Sequence, residues 1–338
     1  MENKNTRNSN RKVPHWFPYT SEITMSGKKS VTFEYKGGTC DTSFARIHSI
    51  LFYGSVCDLS QEFLEKCSRF RIPVCIHRRN IGEATWVLPS TGPRHNNALT
   101  KQILYRQNNK KCAYISRRLL KTKFKSMEWL INSFRFPKKW QPVKEMRHLE
   151  ARHGRKFWDS YYRKLGYNHS QRRENSNEVS KALNAVSKFV SGIILRWVLY
   201  HRLSPYHGFL HSPSNYPSLV YDLIEPYRGY IYQRVFEVIK KNNEVSVGMV
   251  IAVVKEMLDE EVYTDATRQI VTFHELLHGN VLALRAYLLG EADRFIVPIP
   301  GKPNGGRPKK TGYKLYGRSA GPTDFWEKAR DVSSPVGH

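Results

Sequence analysis

His211, Asp222 and Glu225 are the residues whose types and spacing could do chemistry. They sit in the segment Ser204 to Arg228, which reads S-P-Y-H-G-F-L-H-S-P-S-N-Y-P-S-L-V-Y-D-L-I-E-P-Y-R. Asp222 and Glu225 are three apart, so on a helix both carboxylates share a face. Pro205 and Gly208 mark a turn that His211 leaves. A helix is expected from about Pro217, with Asn215 or Tyr216 at its cap and Pro217 pre-setting the first turn. Pro226 removes a backbone hydrogen bond and predicts a kink just past Glu225. One imidazole and two carboxylates are hard-to-borderline ligands that suit Mg²⁺ or Mn²⁺. Such an ion serves phosphoryl transfer, where negative charge builds on the attacking and leaving oxygens. Taken alone, a D-x-x-E pair on a helix is more often a solvated acidic face.

A second candidate competes. His274-Glu275-Leu276-Leu277-His278 is an H-E-x-x-H. On a helix it sets two histidines one turn apart, with a glutamate that could act as general base of a zinc protease. Zinc needs a third protein ligand. Gly279-Asn280 does not continue the pattern that supplies one, and Glu291 lies beyond Gly290 at an expected helix end. The protease is therefore the remote reading. His48, His77, His153 and His169 are scattered, and satisfied surface or core histidines are the default for each.

The elements that must position these groups follow from periodicity. Residues 21–92 read as β-rich, with Val31 to Tyr35, Val74 to His77 and Ala84 to Leu88 as short strands bounded by Gly37-Gly38, Gly82 and Pro89. One helix interrupts them, since Leu59, Phe63, Leu64, Cys67 and Phe70 recur at spacings of three and four. Pro89 to Asn97 is rich in Pro, Gly and Asn and marks a domain boundary. From about 98 to 298 the chain reads as helix. Leu183, Val186, Val190, Ile193, Ile194, Trp197 and Val198 make a wide apolar stripe, so residues 178–201 are the expected core helix that ends just before the His211 turn. The expected organisation is a disordered basic tail over 1–20, an N-terminal β-rich domain over 21–92, a C-terminal α-helical catalytic domain over 93–298, and a basic flexible tail over 299–338. The fold class is α+β, a β-rich domain followed by an all-α metal-binding domain.

Charge points to the partner. The chain has 338 residues, 40% of them hydrophobic, and a formal net charge of +26. A packed core is available, and so large a surplus calls for an anionic partner. Proteolysis gives it no role. The longest uncharged apolar runs, such as Val245 to Val254, fall short of the roughly 20 residues a membrane span needs. Met1 to Pro14 is Asn-rich and basic with no apolar stretch, unlike a secretory signal. Nucleic acid is left as the expected partner. From Ala84 to Met127 ten Lys/Arg stand without a single acidic residue. Each phosphate contact made by such a face steepens the salt dependence of binding by about 0.9 in log–log slope. The five cysteines form no C-x-x-C, which argues against a disulfide framework and a cysteine zinc site and suggests a reducing, cytoplasmic compartment.

Two segments together resemble the Cas-one integrase family of CRISPR adaptation. The family pattern G-F-L-H, then S-L, then D-L-x-E-P-[FY]-R is similar to Gly208-Phe-Leu-His211, Ser218-Leu219 and Asp222-Leu-Ile-Glu225-Pro-Tyr-Arg228. A second pattern, E-G-x-x-A-R-x-[YF]-[FW], is similar to Glu150-Ala-Arg-His-Gly-Arg155-Lys-Phe157-Trp158. Leu183-Asn184 matches an L-N that opens the family's core helix. Leu282 to Gly290 and Val297-Pro298 resemble its last helix and exit. Departures are Ala151 and Gly154 within the second pattern, and Ala185-Val186-Ser187 where an aromatic-Gly-aromatic is usual. The likeness covers roughly residues 21–298.

The resemblance implies that Glu150, His211 and Glu225 ligate Mg²⁺ or Mn²⁺, with Asp222 orienting the site or adding a ligand. Met146, Phe157 and Tyr161 form the inward stripe of the helix that bears Glu150, which places Glu150 at the stripe's edge. The resemblance also implies that Arg155 and Arg228 face DNA phosphates. Arg147 on the Glu150 helix, and Arg117, Arg118 and Lys121 in the basic run, are further candidates for that contact. The implied activity is integration of prespacer 3′-hydroxyl ends into a repeat array, with endonuclease activity. The implied partners are double-stranded DNA, a second copy of the chain, and the small protein Cas-two. The alternatives are a transposon-encoded integrase of the same fold, and a DNA-binding structural protein with a dead site.

Overall fold

The computed structural model describes residues 12–78, 83–90, 97–132, 134, 136–137, 141–167, 177–213, 215–242, 245–303 and 309–310. Its N-terminal part runs β1 (Val13–Pro18), β2 (Glu22–Thr24), β3 (Ser30–Tyr35), β4 (Gly38–Ser43), β5 (Ile47–Tyr53), α1 (Gln61–Arg69), β6 (Val74–His77) and β7 (Ala84–Val87). Two sheets result. One is antiparallel in the order β2-β3-β4, with Ile23 opposite Phe33 and Phe33 opposite Cys40. The other has the order β1-β5-β6-β7, with β5 parallel to both neighbours and β7 antiparallel to β6. The long crossover between β5 and β6 carries α1, as a parallel pair requires. Ser60 caps α1 by accepting from the Phe63 N–H.

β5 is buried along its whole length, as befits a parallel strand covered on both faces. Its alternation serves two cores. Ile50 and Phe52 point to a cluster with Phe17, Phe33, Phe44 and Phe63, while Leu51 joins the core of the helical part. This strand is how the N-terminal part seats on the helices.

The C-terminal part contains α2 (Asn97–Gln107), α3 (Asn109–Ser126), α4 (Val143–Lys164), α5 (Glu178–Tyr200), α6 (Ser218–Asn242), α7 (Val247–Asp259), the strands β8 (Glu261–Thr264) and β9 (Gln269–Thr272), α8 (Phe273–Leu288) and β10 (Lys309–Lys310). α5 is the core helix, with Leu183, Val186, Val190, Ile193, Ile194 and Val198 each at most 1% exposed. Among the described residues it is the one helix long and apolar enough to cross a membrane, but 83% of its apolar window is buried inside the protein. It is therefore a core helix and not a span. Its buried Arg196 donates to the carbonyls of His48 and Arg71, both at 2.8 Å. One guanidinium thereby ties the helical core to the first sheet. All five cysteines are free, and burial pushes the thiols of Cys67 and Cys75 up to about 12.

Three sequence expectations are corrected. The tail expected over residues 1–20 ends sooner, because Val13–Pro18 forms β1 beside β5, with Phe17 only 2% exposed. Pro14 and Pro18 weigh against a central strand, yet β1 is an edge strand, where proline is tolerated. Residues 1–11 lie outside the described residues. The helical part is not purely helical: β8 and β9 form an antiparallel hairpin before α8. Their sequences E-V-Y-T and Q-I-V-T are β-branched and aromatic, but each is a single short strand and easily absorbed into neighbouring helical periodicity. In the expected C-terminal tail, Lys309–Lys310 pairs in parallel with Gln269 and Ile270; residues 311–338 lie outside the described residues. The expected boundary at 92–93 falls among residues 91–96, also outside them, and α2 begins directly afterwards.

α3 and α6 approach unusually closely. A Cβ on Gly229 would stand 2.2 Å from the Ser126 carbonyl oxygen, so only glycine permits the contact. Trp129 Nε1 donates to the Gly229 carbonyl at 3.0 Å and fixes the same crossing.

Candidate metal centre

The turn between α5 and α6 wraps a single carboxylate. Asp222 is fully buried on the first turns of α6. Its Oδ2 accepts the backbone N–H groups of Phe209 at 2.5 Å and Leu210 at 2.9 Å. Its Oδ1 accepts the His211 N–H at 3.0 Å and faces His211 Nδ1 at 2.7 Å. Three successive amides around one anion make a backbone nest. Gly208 is required for it, since a Cβ there would lie 2.6 Å from the His211 carbonyl oxygen and 2.9 Å from Asp222 Oδ2. Ser218 Oγ accepts the Gly208 N–H at 3.0 Å and donates to the Tyr206 carbonyl at 2.9 Å. With Asp222 on Nδ1, the imidazole of His211 is oriented to offer Nε2. Burial opposes charge on this imidazole, but the hydrogen bond and charge of Asp222, then Glu225 and Glu150, outweigh it and raise its pKa.

Glu225 lies on the same face of α6, one turn after Asp222. Glu150 comes from α4, whose Met146, Phe157 and Tyr161 are buried as its stripe predicts. Glu150, His211 and Glu225 each offer a ligand atom, and these atoms lie within 4.8 Å of one another. Among the described residues this is the one group of His, Cys, Asp or Glu so arranged. Two cations attend it. Arg228 Nε is 2.9 Å from Glu225 Oε1, and its Nη1 donates to the Tyr232 hydroxyl at 2.8 Å. Lys123 Nζ, from α3, is 2.5 Å from Glu150 Oε1 and 2.5 Å from Glu225 Oε2. Burial would raise the Glu225 carboxyl, but Arg228, Lys123 and His211 hold it below the usual carboxylate range.

The donor set suits a divalent ion of the Mg²⁺ or Mn²⁺ kind, being two carboxylates and one imidazole. Glu225 Oε2 is buried and faces the Lys123 ammonium without a hydrogen bond of good geometry. Pro226 lies inside α6, which continues to Asn242. Having no N–H, it leaves the Asp222 carbonyl without its usual helical donor.

The structure separates the residues expected to contact phosphate. Arg147, Arg155 and Lys121 are exposed and have no hydrogen bond or ion pair among the described residues. Arg228 is held beside the centre as above. Arg117 and Arg118 are tied up: Arg117 Nη2 donates to the Pro137 carbonyl at 2.5 Å and its guanidinium stands over the Phe136 ring, while Arg118 Nε donates to the Phe295 carbonyl at 2.9 Å. These two hold neighbouring segments in place.

Several functional positions carried no signal in the sequence. Gln102 of α2 donates to the carbonyls of Ser204 and His207 and accepts the Ser204 N–H. Arg106 reaches His207 Nδ1 at 3.0 Å and the Ser212 carbonyl at 2.6 Å. Together they clamp the turn that carries His211. Lys123 is the third. Its one legible hint was its place in a basic run with no acidic residue to neutralise it.

The H-E-x-x-H has a different job. Glu275 closes a capping box, accepting from the Thr272 N–H at 2.8 Å while Thr272 caps the Glu275 N–H. Its carboxylate is thus engaged at the start of α8. His274 and His278 are 3% and 5% exposed. His278 stacks on Trp197 with centroids 3.9 Å apart and meets His201 Nε2 to Nε2 at 2.8 Å. Burial pushes the pKa of His201 down to about 3 and that of His278 well below its ordinary value. The motif is core packing, with both histidines buried and the glutamate engaged as a cap, and the protease reading is set aside.

A strand-rich part followed by a helical part defines the fold class, and solved structures share that fold. The fold is similar to a CAS1 protein from Thermotoga maritima, with a TM-score of 0.65 and 16% identity, over 82% of this chain and 97% of that one. It is similar to a casposase bound to integration product, with a TM-score of 0.69 and 15% identity, over 94% of this chain and 98% of that one. A TtCas1–DNA complex matches with a TM-score of 0.59 and 16% identity, over 90% and 99% of the two chains. No curated protein sequence matches. The chain belongs to the family described as CRISPR associated protein Cas1, whose sequence profile matches residues 20–249. Both motif segments fall inside that span.

Proposed function

We propose that this protein is an integrase of CRISPR adaptation that joins prespacer 3′-hydroxyl ends to phosphodiesters of a repeat array. The observation that carries the reading is the convergence of Glu150, His211 and Glu225, from three separate segments, within 4.8 Å in a chain of the Cas1 family. The proposed ligands are those three residues, and the proposed ion is Mg²⁺ or Mn²⁺. A bound divalent ion would supply the positive charge that phosphoryl transfer requires.

The rest is done by the chain itself. Asp222 fixes the ring of His211. Tyr232 and Glu225 hold the Arg228 guanidinium at the rim, where it can meet a phosphate oxygen. Arg147, Arg155 and Lys121 offer exposed charge to the DNA backbone. The reaction is a direct transesterification. The 3′-oxygen forms a new bond to phosphorus and gives up its proton. The bond from phosphorus to the leaving 3′-oxygen breaks, and that oxygen takes up a proton. No covalent enzyme intermediate is needed. The same centre with water as nucleophile gives endonuclease activity. A homodimer would present two such centres to two DNA ends, and the small partner Cas2 is a proposed companion, in keeping with the similarity to a Cas6-RT-Cas1–Cas2 complex.

The test is a strand-joining assay. Purified protein is incubated with a labelled duplex bearing 3′-hydroxyl ends, a plasmid carrying a repeat array, and Mg²⁺ or Mn²⁺. Label should join the plasmid with wild type and not with His211→Ala or Glu225→Ala, while duplex binding survives in both. Full joining by both variants removes the proposed centre. The similarity to a casposase favours one second reading, a transposon-encoded integrase. Equal joining to plasmids with and without repeats would support it over the first.

A further inference from the structure

We infer that Lys123 is a resident counter-ion of the metal centre, and that a divalent ion must displace its ammonium from Glu150 and Glu225 to bind. The inference rests on the metal reading of those residues. Lys123 Nζ touches one oxygen of each glutamate at 2.5 Å. These are two of the three residues whose ligand atoms converge. The ammonium therefore neutralises the carboxylates that an incoming ion would need. Its side chain is 9% exposed, so water screens the contact weakly. One buried and one partly buried carboxylate this close together repel each other, and without a cation between them the folded centre would be unfavourable. Lys123 removes that repulsion before an ion arrives.

The backbone is not free to withdraw it. Ser126, one turn further along α3, is pressed against Gly229 of α6, and Ser126 Oγ donates to the Lys123 carbonyl at 2.7 Å. Any movement belongs to the side chain. A lysine stem has four rotatable methylenes and a compact head, so the ammonium can leave while α3 stays. The other cation on Glu225 is of the opposite kind. Arg228 is a planar guanidinium held at both ends, by Glu225 and by the Tyr232 hydroxyl. Of the two positive groups, one is built to stay and one to yield.

Removing the competitor should strengthen ion binding. Mn²⁺ is titrated into the full chain without DNA, by calorimetry and by loss of the free Mn²⁺ paramagnetic resonance signal. The variants are Lys123→Met, Lys123→Gln and Lys123→Arg, with Glu150→Gln and His211→Ala as controls. Lys123→Met and Lys123→Gln should bind Mn²⁺ about tenfold tighter or more, and Lys123→Arg should not. Their melting temperatures should fall without Mn²⁺ and recover with it. Equal or weaker Mn²⁺ affinity in folded Lys123→Met and Lys123→Gln overturns the inference, as a purely structural lysine would give. If both neutral variants are unfolded without metal, recovery of native circular dichroism on adding Mn²⁺ supports it, and failure to recover overturns it. Mn²⁺ binding by wild type that is lost in Glu150→Gln and His211→Ala upholds the metal reading whatever Lys123 does. No binding by wild type or by either neutral variant overturns both.

Discussion

Replacing Asp222 with asparagine tests the logic of the centre without touching a proposed ligand. The two carboxylate oxygens face four donors: the N–H groups of Phe209, Leu210 and His211, and His211 Nδ1, at 2.5 to 3.0 Å. An asparagine of the same shape has one oxygen. Its NH₂ must point at the other pair of donors, so two hydrogen bonds to a charged acceptor are lost. At about 1.5–3 kcal/mol each, the loss is about 3–6 kcal/mol. That is a large share of the ~5–15 kcal/mol that holds an ordinary domain together. Urea unfolding at pH 7 should show the loss, and thermal unfolding a fall in melting temperature of about 6 °C or more at roughly 2 °C per kcal/mol. The imidazole also loses the partner that orients it, and the outer partner of a ligating histidine is worth about 10–100-fold in metal affinity. Mn²⁺ titration of the variant should show that loss. A variant within about 1 kcal/mol of wild type, with unchanged Mn²⁺ affinity, would refute the view that Asp222 organises the turn and the ring.

Other outcomes follow from the packing and the charges. Gly229→Ala places a methyl 2.2 Å from the Ser126 carbonyl oxygen, so thermal unfolding should show a loss of at least about 1–3 kcal/mol, together with weaker joining. Mild acid should destabilise the fold through the buried imidazoles. Burial pushes His201 to about 3 and His48 and His278 well below their ordinary value. All three stay neutral when folded and gain a proton when unfolded. Their contribution is intact above about pH 6.5 and is lost as pH falls from there toward 3. For His201 it is worth about 2 kcal/mol at pH 5, with His48 and His278 acting in the same direction, and urea midpoints measured from pH 7.5 to 5 should fall accordingly, less steeply in His278→Gln. Neutralising Arg147 and Arg155 should weaken duplex binding on all sequences alike. It should also lower the salt slope by about 0.9 for each phosphate the two arginines no longer neutralise, read by fluorescence anisotropy from 50 to 300 mM salt.

What the sequence made legible is what local pattern can carry. Val74–His77 reads as a strand from its apolar run, α6 reads as a helix from about Pro217, one residue before its start at Ser218, and α5 announces itself by its stripe. The grouping of Glu150 with His211 and Glu225 came through resemblance, because no periodicity links α4 to α6. The structure brings the three side chains together. Lys123, Gln102 and Arg106 were invisible for the same reason: their partners stand 27 to 106 residues away. Arg117 and Arg118 looked like free basic charge because a one-dimensional reading cannot show a carbonyl from Pro137 or Phe295 waiting opposite. β1 was hidden by its prolines, which are informative only once its place at a sheet edge is known. Glu275 shows the reverse hazard, which the missing third zinc ligand already signalled. A residue with a strong catalytic pattern around it is a helix cap, and the Thr272-x-x-Glu275 spacing was equally available.

α5 has a bearing on how the chain is made. Much of its apolar surface is covered by α6, α7 and α8, and all three follow it in order of synthesis. Between the emergence of Tyr200 and that of Leu288 the ribosome needs roughly 4–18 s. Through that interval the nascent chain displays a segment apolar enough to be taken for a membrane helix. Lys188, near the middle of the segment, weighs against its misdelivery, because a lysine at the centre of a spanning segment costs about 2.5–3.5 kcal/mol on insertion. Arg196, four residues before the end of the helix, adds a further cation to the segment, and its guanidinium finds the carbonyls of His48 and Arg71 only once the chain is folded.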